Sequence, residues 1–474
     1  MEDNYIPPQP VQPAPVTPAE PVTTAPPQIP EAPEMVTSTK KPFPKKLFIW
    51  LGVLMLLVLT GFVIFKLFSS NLKSQSSELV WWGLWEDENL ITPLIEEYQV
   101  ANPNVKVTYI KQSQRDYRER LVNALAKGQG PDIFRFHNSW VPMFSKELDS
   151  LPSSVMSASE FADIFYPIAT SDLTNANGIV GIPLEYDALM LFVNEDIFAK
   201  AGKTPPQTWD DLRVLARELT VKDDQGIITQ SGVALGRVEN VDHWPEILAL
   251  MMIQNGVDLS KPTGETAEDA IKFFSIFSTV DGVWDGSLPT STQSFAGGKL
   301  AMLIAPSWRA FEIIDSNPSL KFKTYPVPQL PKEDLDEPDI TYASYWSEGV
   351  WTRSSNKEAA WKFLKFLSTR ESLEKLYQNA SKVRAFGEPY PRVDMAQLLT
   401  NHPYLDPLVK QAPTARSWYL QSRTWDGPTG INSLLNKYFE DAVTAVVSGK
   451  EADKSLETAA QGVTQVLSQY RLVR

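Results

Sequence analysis

From residue 78 onward the apolar positions change period several times. Leu79–Leu84 is an apolar run rich in aromatics and reads as a strand. Leu90, Leu94, Ile95 and Tyr98 then recur at helical spacing, and Asn102-Pro103 ends that helix. Val105, Val107 and Tyr109 alternate as a strand. Leu121, Val122 and Leu125 mark a second helix that stops near Gly128, and Ile133–Phe136 is a third strand. This strand–helix–strand–helix–strand order predicts a parallel sheet with helices on its faces. Ligands of such sheets bind beyond the carboxyl ends of the strands. Farther along, Ala188–Val193 is apolar throughout, as a strand covered on both faces is. Thr208-Trp209-Asp210-Asp211 predicts a capping box that opens a helix to about Thr220. Ser355-Asn356-Lys357-Glu358 predicts another box, followed by a core stripe of Ala360, Phe363, Leu364 and Leu367, and Ser368 to Glu371 repeats the signature one helix later. Ser433 to Val473 reads as helical, with an interruption around Ser448-Gly449. No repeat of solenoid length is present.

The N-terminal pattern is different in kind. Residues 1–46 hold 13 of the 37 prolines and few aromatics, a composition expected to stay disordered because it buries too little surface to offset chain entropy. Leu47 to Phe65 then runs 19 residues without a charge. As a helix it would measure roughly 28 Å, the thickness of a bilayer's hydrocarbon core. Lys40, Lys41, Lys45 and Lys46 precede it and Lys66 and Lys73 follow it, so residues 47–68 are predicted to form a transmembrane helix with a cytoplasmic N-terminus. The apolar run is longer than a signal-peptide core and the tail before it is too long for a signal peptide's leading segment, which favours an uncleaved signal anchor over cleavage near Ser69 to Ser77. Residues 69–77 read as a short linker, and residues 78–474 as the soluble, extracellular or periplasmic part.

Composition narrows the chemistry. The net charge of −13 makes nucleic acid a poor partner. The absence of cysteine excludes disulfides, thiol nucleophiles, cysteine-held metals and a lipidated cysteine. His137, His243 and His402 are the only histidines, too few for a multi-histidine metal centre. The chain has no nucleophile elbow, zinc motif or Walker loop. Asp223-Asp224-Gln225-Gly226 lacks the remaining ligands of a calcium loop and reads as a turn. No cofactor and no metal are expected.

Several segments, taken in order, resemble one family. GIVGIPLEYDALMLFVNEDIFAKAGKTPPQTWDDLRVLARELT (Gly178–Thr220) looks like the central signature of the extracellular solute-binding proteins of ABC transporters, in their carbohydrate-binding, maltose-binding-protein-like branch. GQGPDIFRFHNSW (Gly128–Trp140) resembles that family's third strand and ligand loop, and SFAGGKLAMLIAPSW (Ser294–Trp308) its stretch ending in a ligand-facing Trp. SSNKEAAWKFLKFLSTRESLEKL and VVSGKEADKSLETAAQ resemble its later helices. The N-terminus departs from the family, whose members usually carry a cleaved signal or a lipid anchor. The resemblance implies a two-lobe, periplasmic-binding-protein-like α/β fold with discontinuous lobes, the first about 78–186 plus 327–382 and the second about 190–325 plus 385–474. It also implies hinge closure on a solute, a mono- or oligosaccharide, and separate ABC permease subunits as partners. A membrane-anchored sensor signalling through the Pro-rich tail is the alternative.

A sugar offers apolar C–H faces and a rim of hydroxyls, so its site wants flat rings and charged or amide partners. Trp85-Glu86 lies where the first strand ends. Phe136, His137, Asn138 and Trp140 follow the third strand at the same edge. By resemblance this loop holds a ring and a polar pair against the ligand. Asp187 matches the family's acidic residue at the first crossover, flanked by Tyr186 and Glu185, and Trp308 matches a stacking Trp. Tyr345, Trp346 and Trp418 fall in segments that line the cleft in relatives, and Trp244 is a further candidate. Trp209 and Trp361 read as structural. Glu185 and Asp187, two apart, also have the spacing of a glycosidase pair, but no other feature supports hydrolysis; the expectation is a binding protein and not an enzyme.

Overall fold

The structure is a computed structural model that describes residues 54–61, 76–332 and 337–473. The described residues fall into two units, one within residues 1–73 and one within 74–474. In the first, residues 54–61 are helical, and Leu54 through Leu59 are each more than half exposed. Among the described residues no helix is long and apolar enough to cross a membrane. The rest of the predicted 47–68 span lies outside the described residues, as do the Pro-rich tail and most of the 69–77 linker. The predicted transmembrane helix is therefore not among the elements found.

The second unit is built on two five-stranded sheets. The first runs, edge to edge, Val105–Lys111, Ser77–Gly83, Ile133–His137, Trp346–Val350, Ile182–Pro183. Its first three strands are mutually parallel, as the strand–helix alternation predicts, and Trp346–Val350 is antiparallel to them. The second sheet runs Phe322–Tyr325, Leu189–Asn194, Leu300–Pro306, Ile228–Val233, Val221–Lys222. Its two inner strands Leu189–Asn194 and Leu300–Pro306 are buried at every position. Side chains on both faces of such a strand must be apolar, which is why these segments read as unbroken hydrophobic runs. The chain enters the second sheet after Ile182–Pro183 and returns to the first between Tyr325 and Trp346. Helices Lys357–Leu367 and Arg370–Ala380 pack on helix Glu88–Ala101 beside the first sheet. The segment Val393–Leu399 still packs on helix Ala158–Ile164, and Asp406–Gln411 already packs on strand Phe322–Tyr325. Helices Ile431–Val447 and Ala452–Gln469 close the chain against each other and against Glu265–Thr279.

Local rules explain the boundaries, including those that differ from expectation. Thr208 caps helix Trp209–Leu219 by accepting from Asp211 N at 3.1 Å, half of the predicted box, while the Asp211 carboxylate accepts the Thr208 hydroxyl at 2.8 Å in place of its backbone N–H. The box expected at Ser355 does not form. Asn356 holds the cap position without a side-chain bond, and Ser354 Oγ accepts from Asn356 N at 3.0 Å. At the next helix Thr369, not Ser368, is the cap, accepting from Ser372 N; Ser368 Oγ turns back to Lys365 O. Adjacent hydroxyl residues compete for such a role, and the backbone angle at each decides it. The 223–226 segment is a turn: Asp223 Oδ1 accepts from Gln225 N and Ile227 N, and Gly226 has φ 79°.

Sheet and helix meet closely at Gly232, where strand Ile228–Val233 passes helix Trp209–Leu219. A Cβ there would lie 2.0 Å from Ala216 O, and backbone cannot rotate away as a side chain can. Gly232→Ala should lower stability by about 1–3 kcal/mol, read as a lower urea midpoint at unchanged slope.

Candidate functional site

A cavity of about 420 Å³ opens where the ends of the two sheets face each other. The first sheet contributes Trp85, just beyond its first strand, and His137 and Trp346 from paired strand positions. The crossover supplies Glu185, Tyr186 and Asp187; the second sheet supplies Pro306 and, just beyond it, Trp308 and Arg309. Later loops add Arg384, Glu388, Ser422, Arg423 and Trp425.

Three tryptophans form one wall. Trp85 lies 5.5 Å from Trp346 and 5.4 Å from Trp425, centroid to centroid, and His137 meets Trp346 edge-on at 5.1 Å. Trp425 has φ 49°, a left-handed backbone that a bulky side chain adopts only where its surroundings fix it. Trp308 stands elsewhere on the lining, half-buried, with the Arg309 guanidinium 4.3 Å from its ring centroid.

Behind the tryptophan wall lies a buried ion network. Arg135 is 2% exposed; its Nε donates to Glu348 Oε1 and its Nη1 to Glu86 Oε2, each at 2.7 Å. Trp81 Nε1 donates to the other Glu348 oxygen at 2.9 Å. Burial opposes the Arg135 charge, but Glu86 and Glu348 outweigh it and hold the proton on the guanidinium. Burial pushes Glu348 up despite the Arg135 charge. It pushes Glu185 well above the usual carboxylate range, with the Glu388 charge adding to the effect.

The other titratable groups are similarly tied. Asp187 Oδ1 accepts from Ala188 N at 2.7 Å and Ser307 N at 2.9 Å, and Oδ2 from Ser307 Oγ at 2.8 Å. Burial still raises its pKa to about 7. Its oxygens are thus occupied by the protein's own donors. His137 contacts Ser139 Oγ at 2.8 Å and Ser344 Oγ at 3.3 Å, and burial lowers its pKa to about 3, so the ring is neutral. His243 Nε2 accepts from Arg309 Nε at 2.9 Å, and Ser422 Oγ donates to Glu246 at 2.8 Å.

Of the residues proposed from sequence, Trp85, His137, Tyr186, Asp187, Trp308 and Trp346 line the cavity. The others do not. Glu86 is held behind the wall by Arg135. Phe136 packs in the interior against Phe134, because it alternates with His137 on one strand. Asn138 donates to Asp172 at 2.8 Å, and Tyr345 donates to the same Asp172 oxygen at 3.0 Å. The 138–140 turn carries Trp140 into the core between Tyr117 and Phe144. Trp418 packs on Tyr419 and Phe439. Trp244 lines a second cavity of about 380 Å³, which shares Ser422, Arg423 and Trp425 with the first. Sequence reasoning missed Trp425, His243, Arg309, Arg384 and Glu388 as lining residues. It also missed Arg135 and Glu348; for Arg135 the signal was present, a charge inside the apolar run Ile133–Phe136. One oxygen each of Glu86, Glu185 and Glu388 lies within 4.8 Å of the other two, the one such cluster among the described residues.

Comparison with known proteins fits this architecture. Residues 85–374 match the family model described as bacterial extracellular solute-binding protein. The chain belongs to that family. It is 22% identical over 314 residues to a maltotriose-binding protein of Pyrococcus abyssi, a match covering 63% of each protein. It is 24% identical over 303 residues to a putative binding protein of Brucella abortus, covering 60% of this chain and 71% of that one. Among solved structures it resembles a solute-binding protein from Thermotoga lettingae bound with α-D-tagatose, at TM-score 0.62 and 21% identity over 83% of this chain and 100% of that one. It also resembles a Thermus thermophilus maltotriose-binding protein, at TM-score 0.60 and 16% identity over 82% and 100%. These likenesses establish the two-lobe sugar-binding-protein fold.

The Arg135 network yields a test of its weight. Arg135→Met leaves Glu86 and Glu348 buried without their cation and should cost about 3–5 kcal/mol of stability. Adding Glu86→Gln and Glu348→Gln to the same chain should recover most of the loss in urea denaturation.

Proposed function

We propose that this chain is the extracellular solute-binding component of an ABC importer and captures a mono- or oligosaccharide. The carrying observation is the cavity itself. It lies between two sheet ends, with Trp85, Trp346 and Trp425 as a wall of rings, Trp308 elsewhere on the lining, and charged groups between them. Rings cover the apolar faces of a pyranose, and charged partners take its hydroxyls. Because the walls come from segments on either side of the crossovers, closure about those crossovers would bring all of them onto one ligand. The relatives named for maltotriose and tagatose support a sugar, without fixing which one. A binding role, with no turnover, agrees with an Asp187 carboxylate already saturated by backbone and hydroxyl donors. The permease and ATPase are separate chains in this reading, since the sequence carries no Walker loop. The apolar 47–65 stretch, with lysines on both sides, holds the binding unit at the outer face of the cell membrane.

A thermal-shift screen of mono- and oligosaccharides should find a ligand that raises the melting temperature, since saturation at 100 times the dissociation constant adds about 2.7 kcal/mol. Trp308→Ala should weaken that ligand by more than about 1 kcal/mol and leave the ligand-free melting temperature nearly unchanged. A collapse of ligand-free stability would make Trp308 a packing residue instead. Full-length protein should sediment with membranes and resist high salt and alkali. Soluble protein with an N-terminus between Ser70 and Ser77 would refute the anchor.

A further inference from the structure

Acidic side chains outnumber basic ones on the cavity lining. Five carboxylates (Glu185, Asp187, Glu246, Glu312, Glu388) face it against three guanidiniums (Arg309, Arg384, Arg423). The surplus has a definite place. Glu246 bonds Ser422, Arg309 bonds Glu312, and Asp187 is saturated by Ser307 and Ala188. On the side of the tryptophan wall, Glu86, Glu185, Glu348 and Glu388 share only Arg135 and Arg384. Glu185 is 8% exposed and lines the cavity, and its one hydrogen bond among the described residues is a 3.3 Å contact from Trp346 N to Oε1. Glu86 is 3% exposed, and its Oε1 accepts no hydrogen bond among the described residues. A buried carboxylate without a cation is costly, and a bound cation removes that cost. Burial and the Glu388 charge already push Glu185 toward holding a proton.

We infer that the cavity selects a saccharide bearing a protonated amine, with the ammonium entering between the lining carboxylates Glu185 and Glu388 to reach Glu86 just behind them and the sugar ring against Trp85 and Trp346. This rests on the saccharide reading above and narrows it to amino sugars. An ammonium has three N–H donors, matching one oxygen from each of the three glutamates. Charge-assisted acceptors at about 2.8 Å around a tetrahedral nitrogen stand roughly 4.6 Å apart, and since no two of the three oxygens are more than 4.8 Å apart, none is too distant to share one nitrogen. Trp85 and Trp346 meet at 5.5 Å on this side of the cavity, so the ammonium and the ring attached to it would be served by one surface. A divalent ion fits less well. It would want six to eight oxygens in the case of calcium, and Glu86 Oε2 and Glu388 Oε1 already hold guanidiniums.

The test is calorimetric titration of the purified full-length chain in mild detergent. The probes are a β-1,4-linked glucosamine trimer, its fully N-acetylated counterpart, maltotriose, and calcium chloride alone. The expected result is that the amine form binds at least about tenfold more tightly than the N-acetylated form, a difference near 1.4 kcal/mol. Glu185→Gln, which keeps shape and removes a poorly paired carboxylate, should remove that preference, weakening the amine at least about tenfold more than the neutral trimers. Neutral trimers binding as tightly as the amine, or a Glu185→Gln loss equal for all of them, would overturn the amine and leave the saccharide reading standing. Stoichiometric calcium binding that Glu185→Gln abolishes would also overturn it, by making the cluster a metal site. No binding by any of the three sugars would count against both readings.

Discussion

Arg135 is the side chain on which the site side of the first sheet depends. It sits at 2% exposure in the middle of strand Ile133–His137 and bonds one carboxylate from the loop after the first strand and one from the antiparallel strand Trp346–Val350. A buried guanidinium must have its donors met, and these two carboxylates meet them only if three separate segments stand in one register. That register places Trp346 opposite His137 and brings Trp85 against Trp346. The aromatic wall of the cavity is therefore set from behind by an ion network that does not itself line the cavity.

Asp187 has the same role at the crossover. Its carboxylate collects donors from Ala188, Ser307 and the Ser307 hydroxyl, and its own carbonyl accepts from Ser344 N at 2.9 Å. One residue thus joins the end of strand Leu300–Pro306 to the crossover, and through Ser344 to the segment that returns to the first sheet. Ser344 in turn contacts His137. The polar lining is consequently connected, and much of it is spent on holding the walls together. Glu185 is the exception, with little hydrogen bonding of its own, and Glu86 behind it keeps one oxygen without a hydrogen bond among the described residues, which is why the cation argument falls on them.

Much of this was written in local pattern. The period-2 and period-3.6 segments place the strands and helices because a residue's exposure follows its position in a regular element. The uniformly apolar Leu189–Asn194 announced a strand with two covered faces. The capping box at Thr208 and the break at Ser448-Gly449 were legible because caps and breakers act within a few residues. Trp85 and His137 were placed by the same logic, since strand ends in a parallel sheet share one edge, whereas Trp346 was placed by the family resemblance.

The sequence alone determined the elements, the alternation that makes a parallel sheet, the membrane-like apolar stretch, and the absence of cysteine chemistry. Tertiary structure alone decided which aromatic rings face the cavity. Trp140 and Trp346 are equally good ring donors by type, yet the turn at 138–140 folds the first into the core and the strand register leaves the second on the wall. Tertiary structure also decided which carboxylates are spoken for, because Glu86 and Glu348 find Arg135 across separations of 49 and 213 residues. No local rule reaches that far: pairing between distant charges is set by chain topology, and burial then fixes what each pair is worth.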